Sequence, residues 1–268
     1  MRNLKKCNRI VIKIGSSTLT HESGLLNIRR IEQLVKVLAD IKNSGKQVIL
    51  VSSGAQAVGF GRLGLKEKPK DMPGKQAIAA IGQCELMYIY DKLFSTYNHV
   101  TSQILLTKED VDNPKRRNNL HNTFLRLLEI GALPIVNEND SVSTEEIEIG
   151  DNDTLSAIVA TLTQADLLIV LSDIDGLYND NPKTNPNATL IHHVKSIDGA
   201  VESMAQGAGS NRGTGGMITK IQAAKIANQH GIDMVIMNGE NPNLLYDLFE
   251  NETIGTYFES TQNKEVEQ

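Results

Sequence analysis

Residues 9–18, RIVIKIGSST, form an apolar run that carries a single lysine, Lys13, and breaks into Gly15 and a series of hydroxyls. A short run rich in isoleucine and valine, closed by a glycine turn, predicts a strand covered on both faces. The pattern returns at 47–52, 103–106, 133–137, 167–171 and 234–237. Between these strands, residues 28–44, 75–96, 118–130, 153–163 and 217–230 carry apolar side chains at helical spacing. Gly45, Gly131 and Gly231 follow three of these helices, where a left-handed C-terminal residue fits. Strand and helix in alternation imply an α/β fold on a mainly parallel sheet. No linker splits the chain, so one domain is expected over residues 1–259, followed by a polar tail at 260–268.

With 40% hydrophobic and 22% charged residues in 268, the chain has the composition of a globular protein able to bury a large core. A net charge of -5, with positive residues bunched only at Lys115, Arg116 and Arg117, offers no broad surface for a polyanion. Nucleic acid is therefore not expected as a partner. No apolar stretch approaches the roughly 20 residues that span a bilayer. Near the start, Arg9 and Lys13 bracket too few apolar residues for a secretory leader, so a cytoplasmic chain without membrane contact is expected. Cys7 and Cys84 lack metal-ligand spacing, and adjacent His192 and His193 would point to opposite faces of a strand. No protein-held metal is expected.

In open α/β sheets, ligands collect at the carboxyl ends of the strands, and the glycine and polar clusters of this sequence lie there. Lys13 within an apolar strand requires either a counter-charge or exposure on an edge strand. Gly15 and the hydroxyls after it suit a phosphate wrapped by backbone N–H groups, although the Gly-Lys-Ser/Thr of a Walker A loop is absent. Residues 50–59, LVSSGAQAVG, pass from strand to helix through Ser52, Ser53 and Gly54. The free N–H groups of that helix start fit an anion, and either serine fits a plain N-cap.

Residues 137–140, NEND, and 150–153, GDND, each suit turns and helix caps. Together they bring acceptors for an ammonium and donors for a carboxylate, which a zwitterionic amino acid requires. Residues 171–178, LSDIDGLY, run into a loop rich in Pro and Asn, and fit either a simple Asp-Gly turn or a seat for a nucleotide base and ribose. Residues 213–220, GTGGMITK, are a glycine run ending in a lysine, suited to closing over phosphates.

VIKIGSST, VSSGA, NEND, GDND, LSDIDGLY and TGGMITK, in this order, closely resemble the glutamate 5-kinases of the amino-acid kinase family. The opening lysine strand is shared with kinases of acetylglutamate, aspartate, carbamate and UMP; the combination of NEND, GDND and the TGGMITK segment is the specific part. The resemblance implies a three-layer α/β/α sandwich with a mainly parallel central sheet, the amino-acid kinase fold. It implies transfer of the γ-phosphoryl of ATP, brought with Mg2+, to the side-chain carboxylate of glutamate, giving glutamyl 5-phosphate on the way to proline. Carried over by position, Lys13 would bind the ATP phosphates and Lys220 the transferring group, with Asp153 orienting both. Ser53, Asp140 and Asn152 would hold glutamate. Ser172 and Asp173 match the nucleotide segment, and Thr214, Gly215, Gly216, Met217, Ile218, Thr219 and Lys220 the loop beside the phosphates.

Many members continue into a C-terminal PUA domain, for which the sequence has no counterpart, so a short form is expected. A homo-oligomer, dimer or tetramer, and proline acting as a feedback inhibitor at a site overlapping that of glutamate, follow from the resemblance alone.

Overall fold

A strand that is apolar on both faces has to be covered twice, and that requirement organises the molecule. The computed structural model describes residues 3–142, 151–207 and 216–260. Its strands are β1 (Arg9–Ile14), β2 (Gln47–Ser52), β3 (Thr101–Leu106), β4 (Leu133–Glu138), β5 (Leu167–Ser172), β6 (His193–Val194), β7 (Asp233–Asn238) and β8 (Thr256–Phe258). They form one sheet in the order β3-β4-β2-β1-β5-β7-β8-β6. Every pairing is parallel except that of β7 with β8.

Alternate residues of each strand feed two separate cores. Ile10, Ile12, Leu50 and Ile169 pack against α2 (Ile28–Asn43), α4 (Met72–Ser95) and α10 (Leu244–Phe249). Val11, Ile49, Val51, Leu168 and Val170 face α6 (Pro114–Glu129), α7 (Asn152–Leu162) and α9 (Met217–Gln229) on the other side. This is the expected three-layer α/β/α sandwich. The alternation also fixes Lys13, two residues after Val11, on the α7 and α9 side.

The helices begin and end where side-chain chemistry dictates. Asn27 caps α2 by accepting from Arg30 N–H at 3.2 Å, and Asp151 caps α7 by accepting from Thr154 N–H at 2.8 Å. Gly45, Gly131 and Gly231 take φ of +95°, +77° and +71° beyond the helices they close. The strands foreseen from sequence are all present, β3 beginning two residues earlier than expected. The segments not foreseen are β6, β8 and the helices α1 (Ser16–Leu19), α5 (Lys108–Asp112), α8 (Gly199–Gly207) and α10, whereas α3 (Ala55–Leu63) starts where residues 50–59 pass from strand to helix in the sequence. Most of those not foreseen are too short to display a period.

Two glycines set the placement of α3. A Cβ on Gly59 would lie 1.8 Å from the Ile78 carbonyl oxygen, and one on Gly82 1.8 Å from that of Ala55. Backbone therefore meets backbone where α3 crosses α4, and the first turn of α3 is locked to the middle of α4.

Ser260, assigned by sequence to the tail, donates its N–H to Asp233 Oδ1 at 2.9 Å and so is tied to β7; residues 261–268 lie outside the described residues. His193 lies in β6 and pairs with Glu259 Oε2 at 2.8 Å, whereas His192 Nδ1 meets the Gly255 carbonyl at 3.1 Å. Among the described residues no helix is long and apolar enough to cross a membrane.

Candidate active site

β1 lies at the point where the chain changes direction across the sheet: it is flanked by β2, its successor, on one side and by β5 on the other. Such a switch point opens a crevice at the carboxyl ends of the strands, and Lys13 is the penultimate residue of β1. Its exposure is only 8%, with a strand on each side, so the edge-strand alternative is excluded.

The counter-charge is Asp153, fully buried in the first turn of α7. Lys13 Nζ lies 2.6 Å from its Oδ1, and Lys220 Nζ, from the first turn of α9, 3.2 Å from its Oδ2. Thr219 donates its hydroxyl to the same Oδ2 at 2.9 Å. Burial by itself would push the Asp153 carboxyl up, but Lys13, Lys220 and the hydroxyl of Thr219 outweigh it and hold the group below the ordinary carboxylate range. The position at the N-terminus of α7 favours the anion further. Two cations share one carboxylate, so these three side chains sum to one positive charge at the end of the central strand.

Asn152, the preceding residue, turns the other way. Its Nδ2 donates to Ser53 Oγ at 2.7 Å and to Asn137 Oδ1 at 3.1 Å. Asn137, at the end of β4 and 3% exposed, donates in turn to Gln83 Oε1 of α4 at 2.9 Å. The start of α7 thus spans the ends of β1, β2 and β4, with charge on one side and a chain of neutral amides on the other. Ser53 is not the N-cap of α3; Gly54 is, at φ +107°, and it makes no side-chain cap. The Ser53 hydroxyl is directed to the site instead. Ser52 points away, bonded to the buried phenol of Tyr90 at 2.9 Å. Asp140 lies half-buried on the turn just beyond β4, past Asn137 in the same segment.

On the other side of β1, Ser172 closes β5 and donates to Asp173 Oδ1 at 3.2 Å. The LSDIDGLY turn then packs on β8: a Cβ at Gly176 would come within 2.4 Å of Thr256 Oγ1, which accepts from Leu177 N–H at 2.8 Å. The Asp-Gly pair lies in a bend over residues 173–176, and Asp173 is exposed there, just beyond the end of β5. Gly216 caps α9 without a side-chain bond, followed by buried Met217, exposed Ile218, Thr219 and Lys220. Thr214 and Gly215 lie outside the described residues. Among the described residues no cluster of three or more His, Cys, Asp or Glu side chains converges as a metal site.

Asn137 belonged to a recognised segment without an assigned role. Gln83 and Tyr90 carried no signal at all: a glutamine and a tyrosine on a long, largely apolar helix look like any others until the helix is placed.

The amino acid kinase family model matches residues 8–238, which hold the Lys13, Asp153 and Lys220 cluster, the amide chain and the β5 turn. The chain belongs to that family. Within it, the similarity is to glutamate 5-kinases. That of Clostridium acetobutylicum is 56% identical over 255 residues, covering 95% of this chain and 96% of that protein. That of Clostridium perfringens is 54% identical over 259 residues with the same coverage. Among solved structures, carbamate kinase from Giardia lamblia bound to AMP-PNP superposes with a TM-score of 0.68 at 16% identity, covering 96% of this chain and 99% of that one. At that identity the likeness speaks for the fold.

Proposed function

We propose that this chain transfers the γ-phosphoryl group of ATP to the side-chain carboxylate of L-glutamate, forming L-glutamyl 5-phosphate and ADP, the first step of proline synthesis from glutamate. The observation that carries the reading is the buried pairing of Lys13 and Lys220 on Asp153, directly beside an amide and hydroxyl cluster suited to an amino-acid acceptor. The high identity to glutamate 5-kinases along nearly the whole chain supports the acceptor.

The chemistry needs no general base. A glutamate side chain, with a reference pKa of about 4.3, is already an anion at neutral pH. One carboxylate oxygen forms a bond to the γ-phosphorus while the bond from that phosphorus to the β,γ-bridging oxygen breaks, and ADP leaves with the electron pair. The obstacle is the approach of two anions and the charge on the phosphoryl oxygens in flight. Lys13 would hold the phosphates of ATP, Lys220 would follow the transferring group, and Asp153 would orient both ammonium groups without exchanging a proton. The free N–H groups beyond Gly54 and Gly216 would supply neutral donors around them.

Ser53, Asn152 and Asp140 would hold glutamate, Asp140 meeting its ammonium. Ser172 and Asp173, with Thr214 to Lys220, would line the nucleotide. Both oxygens of Asp153 are committed to a lysine, so that carboxylate is a poor metal ligand, and Mg2+ would come with ATP. The ion would neutralise the phosphate oxygens. A cytoplasmic location, proline as a competing inhibitor, and a single kinase domain ending near residue 259 belong to the same reading. So does a homo-oligomer, which the outward stripe of Ile81, Cys84 and Tyr88 on α4 supports.

The test is ADP release by purified protein with MgATP and, separately, glutamate, aspartate, acetylglutamate or UMP, with hydroxylamine present to trap an acyl phosphate. Glutamate-dependent ADP with a hydroxamate is expected. Turnover with another acceptor alone would overturn the substrate.

A further inference from the structure

We infer that Gln83 of α4 is a positioning residue for the acceptor side of this site, acting through Asn137 and Asn152 to leave the Ser53 hydroxyl free to donate; the inference rests on the reading just given. Glu138 N–H donates to Asn137 Oδ1 at 2.9 Å, and a backbone N–H can only donate, so this face of the Asn137 amide is its oxygen. That oxygen also faces Asn152 at 3.1 Å, so the near face of the Asn152 amide must be its NH2. The same NH2 reaches Ser53 Oγ at 2.7 Å, which makes the serine oxygen an acceptor there. The hydroxyl proton of Ser53 then remains available to an incoming carboxylate, and Asn152 Oδ1 to an incoming donor.

The polarity of the whole chain depends on which way Asn137 is turned. The Asn137 NH2 meets Gln83 Oε1 at 2.9 Å, an acceptor in a place where the buried amide would otherwise lack one. Gln83 is itself held in place. The residue before it, Gly82, abuts the Ala55 carbonyl in the first turn of α3, one residue beyond Gly54. The helix that carries Gln83 is therefore registered against the same turn that carries Ser53.

The role requires an acceptor at position 83 and nothing else, so two variants separate it from simple packing. Gln83→Met is uncharged and similar in volume but accepts no amide hydrogen bond; Gln83→Glu keeps an acceptor and adds a charge. Packing predicts that Met is the better tolerated. Positioning predicts the reverse order. Gln83→Met should raise KM for glutamate about tenfold, the size of one lost buried hydrogen bond, with kcat and KM for ATP within about twofold. Gln83→Glu should stay within about threefold of the parent in all constants.

A Met variant at least as good as the Glu variant, or an equal loss of ATP affinity, overturns the inference. If Gln83→Met does not fold, Asn137→Asp serves instead. Alone it keeps the acceptor toward Glu138 and Asn152 and lets Gln83 turn its NH2 inward. Combined with Gln83→Glu it sets two carboxylates face to face, and KM for glutamate should rise beyond the product of the single effects; a simple product contradicts the coupling. A parent protein without glutamate turnover overturns the reading and this inference together. Failure of the inference alone shows as an active parent with an unaffected Met variant.

Discussion

Asp153 and Asn152 are neighbours in one turn of α7, yet they serve regions of unlike chemistry. On the Asp153 side, buried charges face one another: two lysines meet a carboxylate with no exposure of its own. On the Asn152 side, the polar groups of Gln83, Asn137 and Ser53 are neutral and joined donor to acceptor. A buried ion loses several kcal/mol of hydration and persists only when paired, whereas a neutral amide needs only a partner of the right polarity. On the proposed function, the charged side would meet a polyphosphate, and the neutral side would fix the orientation of an acceptor that brings its own charges. Removing a group from the first side should damage rate and stability together; removing one from the second should weaken binding of the acceptor.

Asp153→Asn is the harshest way to break this division. It leaves two buried ammonium groups without their anion, and should cost about 3–5 kcal/mol of stability in denaturant unfolding along with nearly all turnover. Lys220→Ala comes next. Loss of a cation that strengthens its contact in the transition state should lower kcat about 100-fold or more while KM for glutamate moves little, and an unchanged kcat would remove Lys220 from the transferring group. Asp140→Ala should act on the other side, raising KM for glutamate about tenfold through loss of one charged hydrogen bond, with KM for ATP unaltered. An equal effect on both substrates would place Asp140 elsewhere.

Acid sharpens the same contrast. The Asp153 carboxyl is held below its ordinary value, so the stability it contributes is fully present above the unfolded value of about 3.9 and is lost as pH falls through the lower folded value. From neutral pH down to about 4 this group should add no change of stability with pH, and below that point Asp153→Asn should lose less on further acidification than the parent. The smallest effect is expected from Tyr90→Phe. It removes the bond to Ser52, whose hydroxyl still donates to the Ser53 carbonyl at 3.1 Å, so thermal unfolding should register about 1 kcal/mol and the kinetic constants little.

Much of the layout was legible in the sequence because the central strands are apolar on both faces and the helices between them are long enough to show a period. β1, β2 and the positive-φ glycines after α2, α6 and α9 fall where the residues place them. β6 and β8, of two and three residues, carry no period, and β8 runs against the parallel direction that strand-helix alternation implies. At the site, Lys13 announced itself as a charge in an apolar strand. Its partner Asp153 was legible only through the family resemblance: by itself, a carboxylate in an Asx-rich helix start reads equally as a cap, and Asp151 is in fact that cap. Gln83 was invisible because its role exists only across 54 residues of sequence separation, once α4 lies against the end of β4.

The most direct test of the account follows the oxygen. Glutamate carrying oxygen-18 in both side-chain carboxylate positions is turned over with MgATP, and the acyl phosphate is cleaved by hydroxylamine at its carbonyl carbon. The account predicts that each phosphate released carries one labelled oxygen, the atom that attacked the γ-phosphorus, while the hydroxamate keeps the other. Phosphate free of label would mean that the side-chain carboxylate is not the group that receives the phosphoryl.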